Sequence, residues 1–168
     1  SGVHSNGFTL ARPAVADLDL KKIYPELNEE KTLGQVLLEP TRIYVEPIVK
    51  LLKQYRVKKV VSGMAHITGG GIAGNLCRSL CDSVDATVHL DRWEVPSIFN
   101  FLQKHGNIET EEMFRVFNMG IGYILIVRPA FADSITSHLE QLGETPIVLG
   151  EITKGTGKVH VIEAGLSS

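Results

Sequence analysis

A chain of 168 residues with 43% hydrophobic and 21% charged side chains is long enough to bury a core, and its composition excludes disordered and fibrous classes. A formal charge of -2, with lysines and arginines scattered rather than striped, supplies no field for nucleic acid. The longest apolar runs, such as IGYILIV at 121–127, are far too short to cross a bilayer, and no signal peptide or lipidation motif is recognisable.

The chain opens on SGVHSNGFTLAR, a polar loop in which Gly2 and Gly7 bracket His4, Ser5 and Asn6. Leu10, Val15 and Leu18 then fit a helix over 8–22, with Pro13 in its first turn. Residues 24–34 read as a charged connector. A turn at Pro40 leads to a helix whose apolar stripe is Ile48, Leu51, Leu52 and Tyr55. VKKVVSGMA predicts a buried strand from 57 or 58 to 65. Glycines 69–71 follow, then a short helix carrying Ile72, Leu76 and Leu80.

In LCRSLC, Cys77 and Cys81 suit neither a disulfide framework nor a CxxC redox motif; they read as small apolar side chains near a core, in a reducing, cytoplasmic compartment. ATVHL at 86–90 is a strand. VPSIFNFLQKHG is a helix punctuated by Pro96 and Gly106, and 111–117 another opened by Thr110 as cap. GYILIV reads as the central strand, AFADSITSHLEQLG as a helix closed by Gly143, and PIVLGEI and KVHVIE as a final strand pair turned at 155–157. The alternation implies one α/β domain over 1–168, layered, with a mixed sheet flanked by helices.

Three stretches carry candidate chemistry. In AHITGGGIAGN, residues 65–75, a strand ends, bare glycine backbone turns, and a helix begins, so N–H groups can point at an anion. Thr68 adds a hydroxyl to Gly69, Gly70 and Gly71, and His66 stands at the strand's exit. The run is neither a Walker A nor a GxGxxG motif, and a purely structural bend accounts for it equally well. VHSNG is donor-rich, with His4 able to act as acid, base or neutral donor, although Asn6-Gly7 also reads as a plain turn. FNMGIG places Asn118, Gly120 and Gly122 before a strand, as a close backbone approach or a bulge requires. Asp91 and Glu94 beside Trp93 read as solvated surface. His89, His105, His138 and His160 lack metal-ligand spacing, and no GxSxG elbow or HExxH occurs, so no metal site is expected.

SGVHSNGFTLAR, LLEPTRIYVEPI, AHITGGGIAGNL, FRVFNMGIGYILIV and VLGEI, in that order, resemble the phosphoribosylformylglycinamidine cyclo-ligase (aminoimidazole ribonucleotide synthetase) family from Ser1 to about residue 163. The resemblance implies the C-terminal domain of such an enzyme, cut near the junction with an N-terminal ATP-binding domain. It implies a fold like that of the related superfamily's C-terminal domains. The implied reaction converts formylglycinamidine ribonucleotide to 5-aminoimidazole ribonucleotide in purine synthesis. ATP and Mg2+ are implied to bind mainly in the N-terminal domain, the full-length enzyme to be a cytoplasmic homodimer, and the piece alone to fold without turnover. By the same resemblance, Thr68, Gly69, Gly70 and Gly71 would hold a ribose phosphate or the transferred phosphate. His4, Ser5, Asn6 and Gly7 would cover the amidine or formyl end, with His4 as the acid/base or orienting group. Thr41 and Arg42 of PTRIY would contact phosphate or the other domain, and His66 and Asn118 would complete the contacts.

One departure stands out. Family members often carry Glu-Asn and then Pro after the glycine triplet, whereas here Gly74, Asn75, Leu76 and Cys77 follow. The rival readings are a sister enzyme of the same superfamily (the amidotransferase, selenophosphate synthetase, thiamine-monophosphate kinase or hydrogenase-maturation dehydratase type) and a binding domain without catalysis.

Overall fold

The computed structural model describes residues 1–162. It is α/β with a mixed sheet, and the residues group into two units, each woven from separate stretches of chain.

The first unit comprises Ser1–Arg42, Ile67–Asn75 and Glu94–Gly122. Its helices α1 (Phe8–Ala14), α2 (Leu33–Leu37), α5 (Ser97–Gly106) and α6 (Thr110–Val116) enclose a core of Leu33, Phe99, Leu102, Met113 and Phe117. α4 (Gly71–Leu76) starts within it. Ile98, Phe99, Phe101 and Leu102 line one face of α5, the helical repeat expected of a helix with one buried side. α1 packs so closely on α5 that a Cβ at Gly106 would come within 2.7 Å of Ala14 Cβ.

α1 stops at Ala14, well short of the expected residue 22, and Pro13 sits near its end rather than in its first turn. Single-turn bonds, from Val15 N–H to Arg12 O and from Leu18 N–H to Val15 O, replace the helical ladder. The Asp19 carboxylate then accepts from Lys21 N–H, an Asx turn that competes with helix. The connector conversely ends in α2. Thr32 and Gln35 form a reciprocal capping box there, which supplies a start to a helix of only five residues.

The second unit comprises Ile43–His66, Leu76–Trp93 and the residues from Tyr123 onward. Strands β1 (Val61–His66) and β3 (Tyr123–Val127) pair antiparallel. Helices α3 (Val45–Gln54) and α7 (Ala132–Gln141) contribute Leu51, Ile135 and Leu139 to a cluster with Val60. β1 starts later than expected because Lys58 N–H turns back to Tyr55 O and Val57 is 89% exposed. The predicted central strand is β3, which among the described residues pairs with β1 alone.

A three-stranded mixed sheet runs β4 (Gly150–Lys154), β2 (Val84–His89), β5 (Val159–Ile162), with β4 antiparallel and β5 parallel to β2. β4 and β5 are therefore not the expected pair, because β2 lies between them. The connecting loop wraps the start of β2. Gly155 and Gly157 N–H donate to Ser83 and Val84 carbonyls, while Thr156 and Lys158 N–H donate to Asp85 Oδ1 at 2.7 and 2.8 Å. Glu163, the last residue of KVHVIE, lies outside the described residues. The cysteines also depart from expectation. α4 ends at Leu76, a tight turn takes over at Cys77, and both thiols are exposed. Ser83 bonds to Cys81 Sγ and holds that thiol below its ordinary pKa.

Candidate functional site

Most of the expected site residues fall in the first unit, and two bare corners of backbone meet there. The first corner is the opening loop. His4 adopts a left-handed φ of 57°, sparsely populated for a residue with a Cβ, and is 7% exposed. Its Nε2 accepts the Arg42 N–H at 3.4 Å, and a ring accepting at Nε2 carries its proton on Nδ1 when neutral. Ser5 Oγ and Thr41 Oγ1 share a hydrogen bond at 3.1 Å, so HSNG and PTR are stitched at two points. Burial, then the Arg42 guanidinium, hold the Ser1 amino group below its ordinary value, which puts a cation beside this loop.

Gly7 closes the loop with φ 71° and caps α1, its carbonyl accepting from Leu10 and Ala11 N–H. A Cβ here would lie 2.2 Å from the Phe117 ring, so the chain can enter α1 along this path only as glycine.

The second corner is Thr68 to Gly71. A Cβ at Gly71, φ +63°, would fall 1.9 Å from Phe114 O and 3.3 Å from Phe117 O. Both corners are thus seated against Phe117, at the end of α6. They also face each other: a Cβ on Gly69 would lie 3.8 Å from Asn6 Oδ1.

Asn75, 6% exposed, props the second corner from behind. Its Nδ2 donates to Gly71 O at 2.8 Å, Gly69 O at 3.2 Å and Thr68 O at 3.3 Å, and its Oδ1 accepts from Thr68 Oγ1 at 3.3 Å. With the carbonyls held behind, the exposed Gly69 and Gly70 N–H groups donate to no acceptor among the described residues. Two unspent donors on a backbone without Cβ atoms form a concavity suited to an oxyanion.

Asn118 is 3% exposed, with both ends of its amide in use: Nδ2 donates to Gly2 O and Oδ1 accepts from Gly120 N–H, each at 2.8 Å. Its contribution is the anchoring of the opening loop. His66 ends β1 in the second unit. Sequence reasoning passed over Asn75 and Phe117 as site-building residues. A polar side chain four positions after Gly71, and a large ring able to fill the space left by distant glycines, were the available signals.

No cluster of three or more His, Cys, Asp or Glu that could hold a metal occurs among the described residues. No helix of the described residues is long and apolar enough to cross a membrane.

The chain resembles phosphoribosylformylglycinamidine cyclo-ligases of several bacteria. That of Alkaliphilus metalliredigens is 44% identical over 162 residues, covering 95% of this chain and 45% of the relative. That of Bacillus velezensis is 44% identical over 160 residues, 94% of this chain and 44% of the relative. That of Carboxydothermus hydrogenoformans is 45% identical over 164 residues, 97% of this chain and 46% of the relative. The chain spans about half the length of the curated relatives it matches. The family model described as AIR synthase related protein, C-terminal domain, matches residues 1–163, and to that family this chain belongs.

Proposed function

We propose that this chain is the C-terminal part of an ATP-dependent cyclo-ligase that closes the imidazole ring of 5-aminoimidazole ribonucleotide from formylglycinamidine ribonucleotide. The name borne by its relatives supports the reading. The observation that carries it is the meeting of the two corners on Phe117, with Asn6 Oδ1 3.8 Å from the position of a Gly69 Cβ.

Both reacting groups of such a substrate belong to one molecule, so catalysis is largely a matter of holding it bent. ATP supplies a phosphoryl group to the formyl amide oxygen, which turns a poor leaving group into phosphate. The residues of this chain bind and orient. Gly69 and Gly70 N–H, with the Thr68 hydroxyl, take the oxygens of the ribose phosphate or of the transferred phosphate. This role rests on the loop, since α4 is only six residues long and its dipole is slight. Arg42, with Thr41, offers charge and a bidentate geometry. Ser5, Asn6 and Gly7 cover the formyl end, and His4, fixed by Arg42 N–H, orients it.

The donor set here, glycine amides, a threonine hydroxyl and an imidazole, does not fit magnesium. ATP and the metal are assigned to the further length that the relatives possess, as are the homodimer contacts; the cytoplasm is the compartment of the proposed pathway.

Calorimetric titration with inorganic phosphate tests the site. The unmodified chain binds weakly. Gly70→Val, which places a β-branched side chain at φ +100°, loses the heat. Equal heats from both proteins overturn the assignment.

A further inference from the structure

One edge of the mixed sheet is bare. β4 pairs with β2 alone among the described residues, and each of its residues from Gly150 to Lys154 is exposed. The alternation of its hydrogen bonds is fixed at both ends, by His89 N–H donating to Leu149 O and Gly155 N–H donating to Ser83 O. Odd-numbered residues therefore bond to β2, while Gly150, Ile152 and Lys154 turn their N–H and C=O groups outward. None of these three N–H groups donates to an acceptor among the described residues.

The apolar face of the sheet runs out at the same edge. Ile152 stands opposite Ala86, and opposed residues of a ladder share a face. Ala86 is 2% exposed but Ile152 is 40% exposed, and Val148, just before the strand, is 62% exposed. Edge strands are ordinarily blunted by a proline, a bulge or an inward charge. β4 contains no proline, its register with β2 is unbroken, and its central residue is an isoleucine.

A row of outward main-chain donors and acceptors is matched by another extended strand, and the sequence of β4 suits a second copy of itself. Antiparallel pairing about a two-fold axis at Ile152 sets Ile152 against Ile152 of the other copy, Glu151 against its Thr153, and Gly150 against its Lys154. No like charges oppose one another, the isoleucines cover each other, and every outward residue falls in a bonded pair. A contact that uses the same patch on both copies closes on itself, so it gives a pair rather than a fibre.

We propose that β4 is a self-recognition edge through which two copies of this chain join into one continuous sheet. The contact is independent of the cyclo-ligase reading and distinct from the homodimer contacts assigned to the further length of the relatives. Two five-residue strands make a patch small beside the roughly 1,200 Å² of a stable complex, so the association is weak and needs high protein concentration.

Sedimentation equilibrium over a concentration series tests this in the unmodified chain, with backbone amide hydrogen exchange on the same samples. The expected result is a monomer–dimer equilibrium in which the Gly150, Ile152 and Lys154 amides gain about tenfold protection as the dimer fills. Ile152→Lys sets two ammonium groups face to face and weakens the association by about tenfold; Ile152→Glu does the same with two carboxylates, and an equimolar mixture of the two variants recovers it. A chain that stays monomeric at millimolar concentration overturns the proposal, as does a dimer that leaves those three amides unprotected or an Ile152→Lys variant that associates like the parent. A mixture of variants that stays apart overturns the register centred on Ile152. Should the variants fail to fold by circular dichroism, sedimentation and exchange of the unmodified chain decide alone.

Discussion

Two loops in this protein gather backbone N–H groups at a turn, and they treat them in opposite ways. The loop between β4 and β5 gives every N–H from Gly155 to Lys158 to residues 83–85, and Asp85 supplies the carboxylate at its centre. The glycine corner after β1 turns its carbonyls to Asn75 and leaves the Gly69 and Gly70 N–H groups unspent. One loop carries its own anion; the other leaves its donors open. Glycines serve both, for different reasons. A Cβ at Gly155 would lie 2.0 Å from the Asp85 carboxyl carbon, whereas one at Gly70 would meet nothing nearer than Asn75 Nδ2 at 3.7 Å. The first glycine makes room for the anion already there, and the second keeps the approach open.

The most damaging change is expected at Gly71. Alanine there combines a left-handed φ with a backbone oxygen 1.9 Å from its methyl, at a cost of about 3 kcal/mol in urea unfolding. A variant as stable as the parent would show that the corner can shift freely, and the comparison of two rigid loops would collapse. Asn75→Ala comes next. It leaves Gly71 O and its neighbours without their buried donor, at about 2 kcal/mol, and phosphate affinity falls with stability. Stability lost with phosphate binding unchanged would separate the prop from the site.

The self-supplied anion makes its own prediction. Thr156 and Lys158 N–H, then His160, hold Asp85 at a pKa of about 2 against an ordinary 3.8. Because the folded value is the lower one, the clasp's contribution is complete above about pH 4 and vanishes as pH falls through about 2. Acid unfolding of Asp85→Asn should therefore show a shallower dependence across that window than the parent; identical curves would deny the clasp its role. The smallest effect has the opposite sign. Gly74 lies in α4 with nothing within 4 Å of a new Cβ, so Gly74→Ala should stabilise by about 0.5–1 kcal/mol without altering phosphate heats. A loss of phosphate binding in that variant would extend the site onto the helix.

What could be read beforehand divides along the same line. The α5 face of Ile98, Phe99, Phe101 and Leu102 and the αL glycine closing α7 are local patterns, visible in any window that contains them. The Thr32–Gln35 capping box was equally local and was missed because the charged run before it read as a connector. The order β4-β2-β5 was not legible, since nothing near residue 155 says that Asp85, seventy residues earlier, will sit inside the turn. At the site, the glycine corners were visible as motifs, but their common seat on Phe117 is a long-range fact. His66 was picked from its place at a strand's exit; the slip at Val61/Gly63 that sets it against Tyr123 has no clear sequence mark.

The straddled β2 has a consequence for how the chain is made. Both neighbours of β2 lie beyond Gly150, about sixty residues after His89. At ribosomal speeds of about 5–20 residues per second, β2 waits several seconds with both edges bare, a window in which it can recruit a foreign strand. A premature stop before Gly150 removes both of its partners and with them the whole mixed sheet. Residues 150–162 therefore decide whether the second unit is completed or left prone to aggregate.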